Sequence, residues 1–199
     1  MFGSCWPDLR GEKLAEGQQY HLHSTVVLVG MMGSGKTAIG RALAARLDVP
    51  FVDSDAAIEQ AAALSIAEIF RRDGEAFFRK RETEVLRRLL SGPARIVSTG
   101  GGAFLAAENR AAIADMGIAV WLDADLPTLW ERVRYKDTRP LLRTADPHTT
   151  LTTIFHERTP VYAQAGLRIA INADASIDET TQTVVDLLAA RPAILEPFS

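Results

Sequence analysis

The architecture of this chain follows from one stretch, Val26-Val27-Leu28-Val29-Gly30-Met31-Met32-Gly33-Ser34-Gly35-Lys36-Thr37. Its first four residues are apolar and predict a buried β-strand. The segment Ala38 to Leu47 predicts a helix with Ile39, Leu43 and Leu47 on one face. Between strand and helix lies the pattern G-x-x-x-x-G-K-T, in the context that a phosphate-binding loop requires. The sequence therefore predicts a protein that binds a nucleoside triphosphate.

Each part of this loop has a physical task. Gly30 and Gly35 let the backbone turn tightly, so that successive N–H groups point at phosphate oxygens, helped by the positive end of the following helix. We assign the nucleotide-binding backbone to Gly33, Ser34 and Gly35. The next two side chains complete the site, since the Lys36 ammonium can reach the β- and γ-phosphates and the Thr37 hydroxyl can ligate Mg²⁺. A nucleoside triphosphate and Mg²⁺ are the expected ligands of this loop.

Composition limits the classes of function. The 199 residues suffice for one well-buried core and are few for two full domains. A formal net charge of −3 gives no support to a general nucleic-acid or membrane-surface role. The sequence lacks an apolar run of about eighteen residues, so no membrane span is expected, and the single Cys5 fits a reducing compartment. We expect a cytoplasmic monomer that acts on small molecules.

Strand-like and helix-like segments alternate from Thr25 onward. This alternation predicts right-handed βαβ units and a three-layer α/β fold, a five-stranded parallel sheet with helices on both faces. Residues 1–23 lack a period and predict a flexible extension, which leaves 24–199 as a single domain. Capping boxes at Ser65–Glu68 and Ser176–Glu179, and Asp125 before Pro127, predict helix starts, and Gly74 suits a helix end. The candidate strands are Val26–Val29, Pro50–Val52, Arg95–Ser98, Ile118–Leu122 and Leu167–Ile171.

In such a sheet, ligands bind at the carboxyl ends of the strands. Asp53 and Asp55 follow the second strand and would project to the same side if the strand continued. They could anchor Mg²⁺ and orient a hydroxyl acceptor, or Asp53 could simply cap the next helix. Gly100-Gly101-Gly102 follows the third strand. These glycines could let a ligand approach the backbone closely, or they could form only a tight turn. Asp123 follows the fourth strand.

Basic side chains cluster in two places. The run from Arg132 to Arg143 could be a nucleic-acid patch, a solvated face or a phosphate clamp. Aromatic residues are nearly absent from it, so a lid at about 134–150 that closes over the triphosphate and excludes water is the better account. Arg79 lies on a helix with Val85, Leu86 and Leu89, and the pattern alone does not separate it from a solvated face.

The ordered set of motifs resembles bacterial shikimate kinases. It runs from G-x-x-G-S-G-K-T through D-x-D, D-G-E-x-x-F-R, G-G-G and R-P-L-L to R-x-P-x-Y, and it covers about Val26 to Leu188. The resemblance implies a P-loop fold of the nucleoside-monophosphate-kinase type, with a substrate-binding subregion at about 54–83 and a mobile lid. It also implies transfer of the ATP γ-phosphate to the 3-hydroxyl of shikimate, in aromatic amino-acid synthesis.

The same resemblance implies roles for individual residues. Lys36 and Thr37 would serve the phosphates and Mg²⁺, and Asp53 would contact Mg²⁺ through water. Asp55 would bind the shikimate hydroxyls and could act as a base, and Arg79 and Arg158 would bind the shikimate carboxylate. Gly101 and Gly102 would form the substrate turn. Arg139 would extend from the lid to ATP, and Arg132 would stack on adenine.

Two other functions stay open at this point. A related small-molecule kinase, such as one acting on gluconate, would share the loop and the lid but need not keep G-G-G with Arg79 and Arg158. A nucleotide-binding regulator without an acceptor would need neither D-x-D nor the basic lid. The family pattern has no counterpart of residues 1–23 and does not match Leu142 to Thr150 in detail.

Overall fold

A computed structural model describes residues 19–135, 142 and 144–198, and within them the predicted alternation of strands and helices is confirmed. The strands are β1 Tyr20–Leu22, β2 Thr25–Val29, β3 Phe51–Asp53, β4 Ile96–Ser98, β5 Gly117–Ala124, β6 Leu167–Ile171 and β7 Leu195–Pro197. The helices are α1 Lys36–Leu47, α2 Ser54–Ala62, α3 Ile66–Leu90, α4 Ala107–Met116, α5 Leu126–Val133, α6 Pro147–Tyr162 and α7 Ile177–Ala189, with a 3₁₀ turn at Ala103–Leu105. Arg139 lies outside the described residues.

Five of these strands form one parallel sheet in the order β3-β4-β2-β5-β6, flanked by helices. Val26 to Val29 in the central strand β2 are fully buried, because a parallel strand is covered on both faces and reads as a continuous apolar run. The predicted face of α1 is buried as well, through Ile39, Leu43 and Leu47. The predicted three-layer α/β fold is therefore confirmed.

A second, two-stranded sheet corrects the prediction that residues 1–23 are a flexible extension. β1 pairs antiparallel with β7, and His23 N donates to Ile194 O at 2.9 Å. Tyr20 and Leu22 are buried in the main core, with 8% and 6% of their surface exposed. This strand has only three residues and its partner lies at the far end of the chain, so it leaves no local periodicity to recognise. The folded part therefore includes residues 20–23, and residues 1–18 lie outside the described ones.

The predicted helix starts are confirmed. Both capping boxes form, at Ser65 with Glu68 and at Ser176 with Glu179, and Asp125 accepts a hydrogen bond from Thr128 N at 2.8 Å. Gly74 interrupts α3 with φ 81° and ψ 173°, but a further helical stretch follows at once, so Gly74 marks a kink rather than an end. None of the helices in the described part of the chain is long and apolar enough to span a membrane.

Candidate active site

A cavity of about 720 Å³ opens where the phosphate loop meets the carboxyl ends of β3 and β4. Three loop glycines, Gly30, Gly33 and Gly35, have φ values of 137°, 85° and 99°, which L-residues with a Cβ rarely adopt. The tight turn predicted for this loop is thus present. The cavity wall includes Gly33, Gly35, Lys36, Thr37, Asp53, Asp55, Ser98, Gly100, Gly101 and Arg132.

Lys36 opens α1 and is 8% exposed. Its Nζ donates to Gly30 O at 2.8 Å and to Met31 O at 2.9 Å, so the ammonium lies against the loop at the cavity wall. Ser34 differs from its neighbours, because it is fully buried, is not part of the wall, and donates its backbone N–H to Met31 O at 3.2 Å. The loop therefore brings Lys36 to the cavity and turns Ser34 inward.

Thr37, Asp53 and Ser98 form a cluster of oxygen atoms at the cavity. Thr37 Oγ1 donates to Asp53 Oδ2 at 3.2 Å and lies 3.2 Å from Ser98 Oγ. The other oxygen of Asp53 caps α2, accepting from the backbone N–H groups of Asp55 and Ala56 at 3.1 and 3.3 Å. The two explanations of Asp53, a helix cap and a cavity carboxylate, both hold, one for each oxygen. Ser98 was not predicted, although it ends β4 and the strand-end rule could have found it.

Asp55 reaches the cavity by a different route from the one predicted. β3 ends at Asp53, so Asp55 stands in the first turn of α2 and strand alternation does not place it. Burial, reinforced by the charges of Asp53 and Glu82 and opposed by Lys36, raises the pKa of Asp55 to about 6. Its Oδ1 is a buried acceptor without a hydrogen-bond partner among the described residues. Asp55 is therefore suited to accept a hydrogen bond, and a proton, from a hydroxyl ligand.

The glycine turn after β4 provides space rather than unusual backbone angles. None of Gly100, Gly101 and Gly102 has a positive φ. A Cβ added to Gly100 would lie 2.5 Å from Asp55 Oδ1, and one added to Gly102 would lie 2.5 Å from Arg79 Nη1. Real Cβ atoms essentially never come that close to another heavy atom. Gly100 and Gly102 therefore leave the space into which the side chains of Asp55 and Arg79 pack.

Arg79 is held in place by two acids on α3. Its Nη1 donates to Glu82 Oε2 at 2.8 Å, and its Nε and Nη2 donate to Glu75 Oε1 at 3.3 and 3.2 Å. Glu82 is only 2% exposed, and its burial raises its pKa while the Arg79 guanidinium counteracts that rise. Glu82 was not predicted; an acid three residues after Arg79 on one helix was the available signal. Arg79 lies beside Gly102 and is not part of the cavity wall.

Arg158, on α6, contacts the same turn. Its Nη1 donates to Gly101 O at 3.4 Å, and the hydroxyl of Tyr162, one helical turn later on α6, donates to the same carbonyl. The two predicted arginines therefore contact neighbouring glycines. We call Asp55, Arg79, Arg158 and the turn Gly100–Gly102 the acceptor cluster.

Two further predictions concern the nucleotide side. Arg132 on α5 is part of the cavity wall, and its Nη1 donates to Gly33 O at 3.4 Å. Asp123 does not face the phosphates as its strand-end position suggested, because β5 continues to Ala124 and Asp123 forms an ion pair with Arg168 at 2.6 Å. The lid at about 134–150 is only partly described, and α6 begins within it at Pro147.

Known proteins resemble this chain in sequence over most of its length. The model of the shikimate kinase family matches residues 32–189. A shikimate kinase of Ruegeria pomeroyi is 57% identical over 184 residues, which cover 92% of this chain and 94% of the relative. One of Cereibacter sphaeroides is 55% identical over 88% of this chain and 87% of its own length.

A solved structure agrees with them. The shikimate kinase from Acinetobacter baumannii, in complex with shikimate, superimposes with a TM-score of 0.79 at 36% identity, covering 84% of this chain and 93% of its own. The family model alone matches well over half of the chain, and the relatives match almost all of it. The chain belongs to the shikimate kinase family.

Proposed function

We propose that this enzyme transfers the γ-phosphate of ATP to the 3-hydroxyl of shikimate, giving shikimate 3-phosphate and ADP in aromatic amino-acid synthesis. One observation carries the proposal: a phosphate loop shares a sheet edge with a carboxylate of raised pKa and with two arginines that meet one glycine turn. Shikimate has one carboxylate and three hydroxyls, and the acceptor cluster offers a complementary partner to each kind of group.

On the donor side, Lys36 places its ammonium where the β- and γ-phosphates enter the loop and neutralises charge that develops during transfer. Thr37, Asp53 and Ser98 present hard oxygen ligands, which suit Mg²⁺, a cation that is usually held by one or two carboxylates together with phosphates and water. No group of three or more His, Cys, Asp or Glu residues in the described ranges could hold a metal alone. Thr37, Asp53 and Ser98 would hold Mg²⁺, which would supply positive charge to the phosphates during transfer.

On the acceptor side, Arg79 and Arg158 bind the carboxylate, because guanidinium groups match carboxylate oxygens in geometry and charge. Asp55 accepts a hydrogen bond from the 3-hydroxyl and takes its proton as the oxygen attacks the γ-phosphorus. The P–O bond to ADP breaks as the new P–O bond forms, and ADP leaves with the electron pair. Gly101 and Gly102 support the acceptor, Arg132 packs on adenine, and Arg139, outside the described residues, reaches ATP from the lid.

A coupled ADP-release assay with shikimate, gluconate and nucleoside monophosphates tests the proposal. We expect turnover with shikimate alone; turnover with gluconate would favour the other small-molecule kinase, and ATP binding without any turnover would favour a regulator. Arg79→Ala should raise the KM for shikimate by about tenfold or more and leave the KM for ATP unchanged, since it removes contact with a part of the substrate that does not react.

Arg81→Ala is the matched control on the same helix. Arg81 pairs with Glu84 and lies over the Phe77 ring, away from the turn. A change in the ATP KM alone after Arg79→Ala would contradict the carboxylate assignment. The expectation of a monomer that works in the cytoplasm stays a prediction, and sedimentation of the purified enzyme checks the oligomeric state.

A further inference from the structure

Tyr162 ends α6 and is 1% exposed, although its side chain carries a polar hydroxyl. Its hydroxyl donates to Gly101 O, the carbonyl that Arg158 Nη1 also contacts at 3.4 Å. Tyr162 follows Arg158 by four residues, so both side chains extend from one face of α6. One carbonyl of the glycine turn is thus held by two donors from one helix.

The phenol ring is fixed by the central sheet. It stacks on the Trp121 indole with the ring centroids 6.4 Å apart and an interplanar angle of 26°. Trp121 belongs to β5, which pairs directly with β2, the strand that precedes the phosphate loop. The Arg168 guanidinium lies over Trp121, 5.3 Å from the centroid of its ring, and forms an ion pair with Asp123. Tyr162 therefore contacts the glycine turn through its hydroxyl and the central sheet through its ring.

The two donors to Gly101 O are not equivalent. The Arg158 contact is long for a hydrogen bond, and the proposed function requires its guanidinium for the substrate carboxylate. The Tyr162 hydroxyl carries no charge, and burial raises its pKa, so it stays a protonated donor at neutral pH. When Arg158 turns to the substrate, Tyr162 is the donor that keeps Gly101 in place.

Position matters at Gly101, because this residue lies between Arg158 and the phosphate loop. A Cβ placed on it would be 3.7 Å from Arg158 Nη1, 3.7 Å from Tyr162 Oη and 3.8 Å from Gly30 O in the phosphate loop. Its neighbours in the turn pack against Asp55 and Arg79. A shift of the Gly101 carbonyl would therefore move the backbone against which Asp55 and Arg79 pack.

We propose that Tyr162 is a positioning residue for the acceptor: its hydroxyl fixes the Gly101 carbonyl, and thereby the glycine turn, in the geometry that binds shikimate. This inference rests on the proposed function of Arg158. It differs from a purely structural role, in which the hydroxyl only satisfies a buried carbonyl and its loss would lower stability without changing affinity.

Tyr162→Phe tests the inference, since it keeps the stacked ring and removes only the hydroxyl. We expect the shikimate KM, and the shikimate Kd titrated without nucleotide, to rise about tenfold, the scale set by one lost buried hydrogen bond. The kcat should fall less than about threefold, and the KM for ATP should not change. Tyr20→Phe is the control, because Tyr20 is also buried but lies on β1 away from the cavity.

Other outcomes overturn the inference. A folded Tyr162→Phe enzyme with an unchanged shikimate Kd, whatever its melting temperature, leaves Tyr162 a structural residue. If Tyr162→Phe does not fold, Trp121→Phe gives the second test, with a shikimate KM expected to rise about threefold because the stacked partner becomes smaller; no rise refutes the inference. Wild-type enzyme without shikimate turnover would instead refute the proposed function, before any variant is compared.

Discussion

Gly102→Ala is the sharpest perturbation of the acceptor cluster. Gly102 has φ −93° and ψ −22°, a conformation that alanine adopts without strain, so the backbone has no reason to change. The added Cβ would lie 2.5 Å from Arg79 Nη1 and 3.0 Å from Arg79 Cζ, well inside the 3.4 Å at which ordinary van der Waals contact begins. The guanidinium must therefore retreat by about 0.9 Å.

The size of the effect follows from that distance. A misplacement of about 1 Å in a substrate-positioning group costs on the order of 10²-fold, so we expect kcat/KM for shikimate to fall ~10- to 100-fold, mainly through KM. The free energy of unfolding should change little, because the displaced atoms end a flexible side chain that can keep its bond to Glu82. A loss of about 1 kcal/mol would lower Tm by roughly 2–4 °C.

The assay is steady-state ADP release at varied shikimate and at varied ATP, with thermal unfolding measured alongside. Gly92→Ala is a matched control, because its Cβ would lie 2.4 Å from Arg95 Nη2 and so meets an arginine in the same way at a site remote from the cavity. Gly101→Ala should impair binding less than Gly102→Ala, since no atom lies closer than 3.7 Å to its Cβ. An unchanged shikimate KM in folded Gly102→Ala, or an equal rise in Gly92→Ala, would refute the reasoning.

Three further predictions concern other parts of the molecule. Lys36→Met should leave the circular dichroism spectrum intact and lower kcat by at least ~10²-fold, and near wild-type turnover would remove Lys36 from the phosphate site. Because the pKa of Asp55 is raised from 3.8 to about 6, kcat/KM for shikimate should fall as the pH drops through about 6, and Asp55→Asn should lack this limb. The folded state binds the Asp55 proton more tightly than the unfolded state, so the contribution of Asp55 to the free energy of unfolding should decrease as the pH rises from about 4 to 6. Wild type should therefore lose stability relative to Asp55→Asn over this range, and equal slopes of the two proteins in urea titrations would contradict the shift. Leu22→Ala should lower Tm by roughly 4–8 °C, the loss of about 2 kcal/mol for a buried leucine near a chain end, while exposed His21→Ala changes neither Tm nor activity.

The features that could be predicted from sequence are local along the chain. The phosphate loop occupies eight consecutive residues, and its flanking strand and helix follow at once, so one window contains the whole motif. Both capping boxes are four-residue patterns, and each forms as expected. Strands β2 and β4 are recognisable because burial on both faces makes each a short, mostly apolar run, whereas β6 alternates buried and exposed residues.

The features that escaped prediction depend on contacts between distant residues. The pairing of β1 with β7 joins His21 to Glu196, and three-residue strands carry no detectable period. The pairing of Asp123 with Arg168 follows from the register of β5 on β6, which sequence does not reveal. Glu82 resembles any other charged residue of α3 in the sequence, and its burial and its ion pair with Arg79 are visible only in the structure.

The glycine turn shows how a site on distant segments can still be encoded in a short run of sequence. Each outer glycine omits the Cβ that would exclude one functional group, Asp55 at Gly100 and Arg79 at Gly102. The middle glycine presents the carbonyl that Arg158 contacts. Since none of the three has a positive φ, glycine at positions 100 and 102 is required by packing against Asp55 on α2 and Arg79 on α3 and not by the turn itself. The side chains of Asp55 and Arg79 thus require glycine in the turn that follows β4. A change of either side chain would have to be accompanied by a change in the turn.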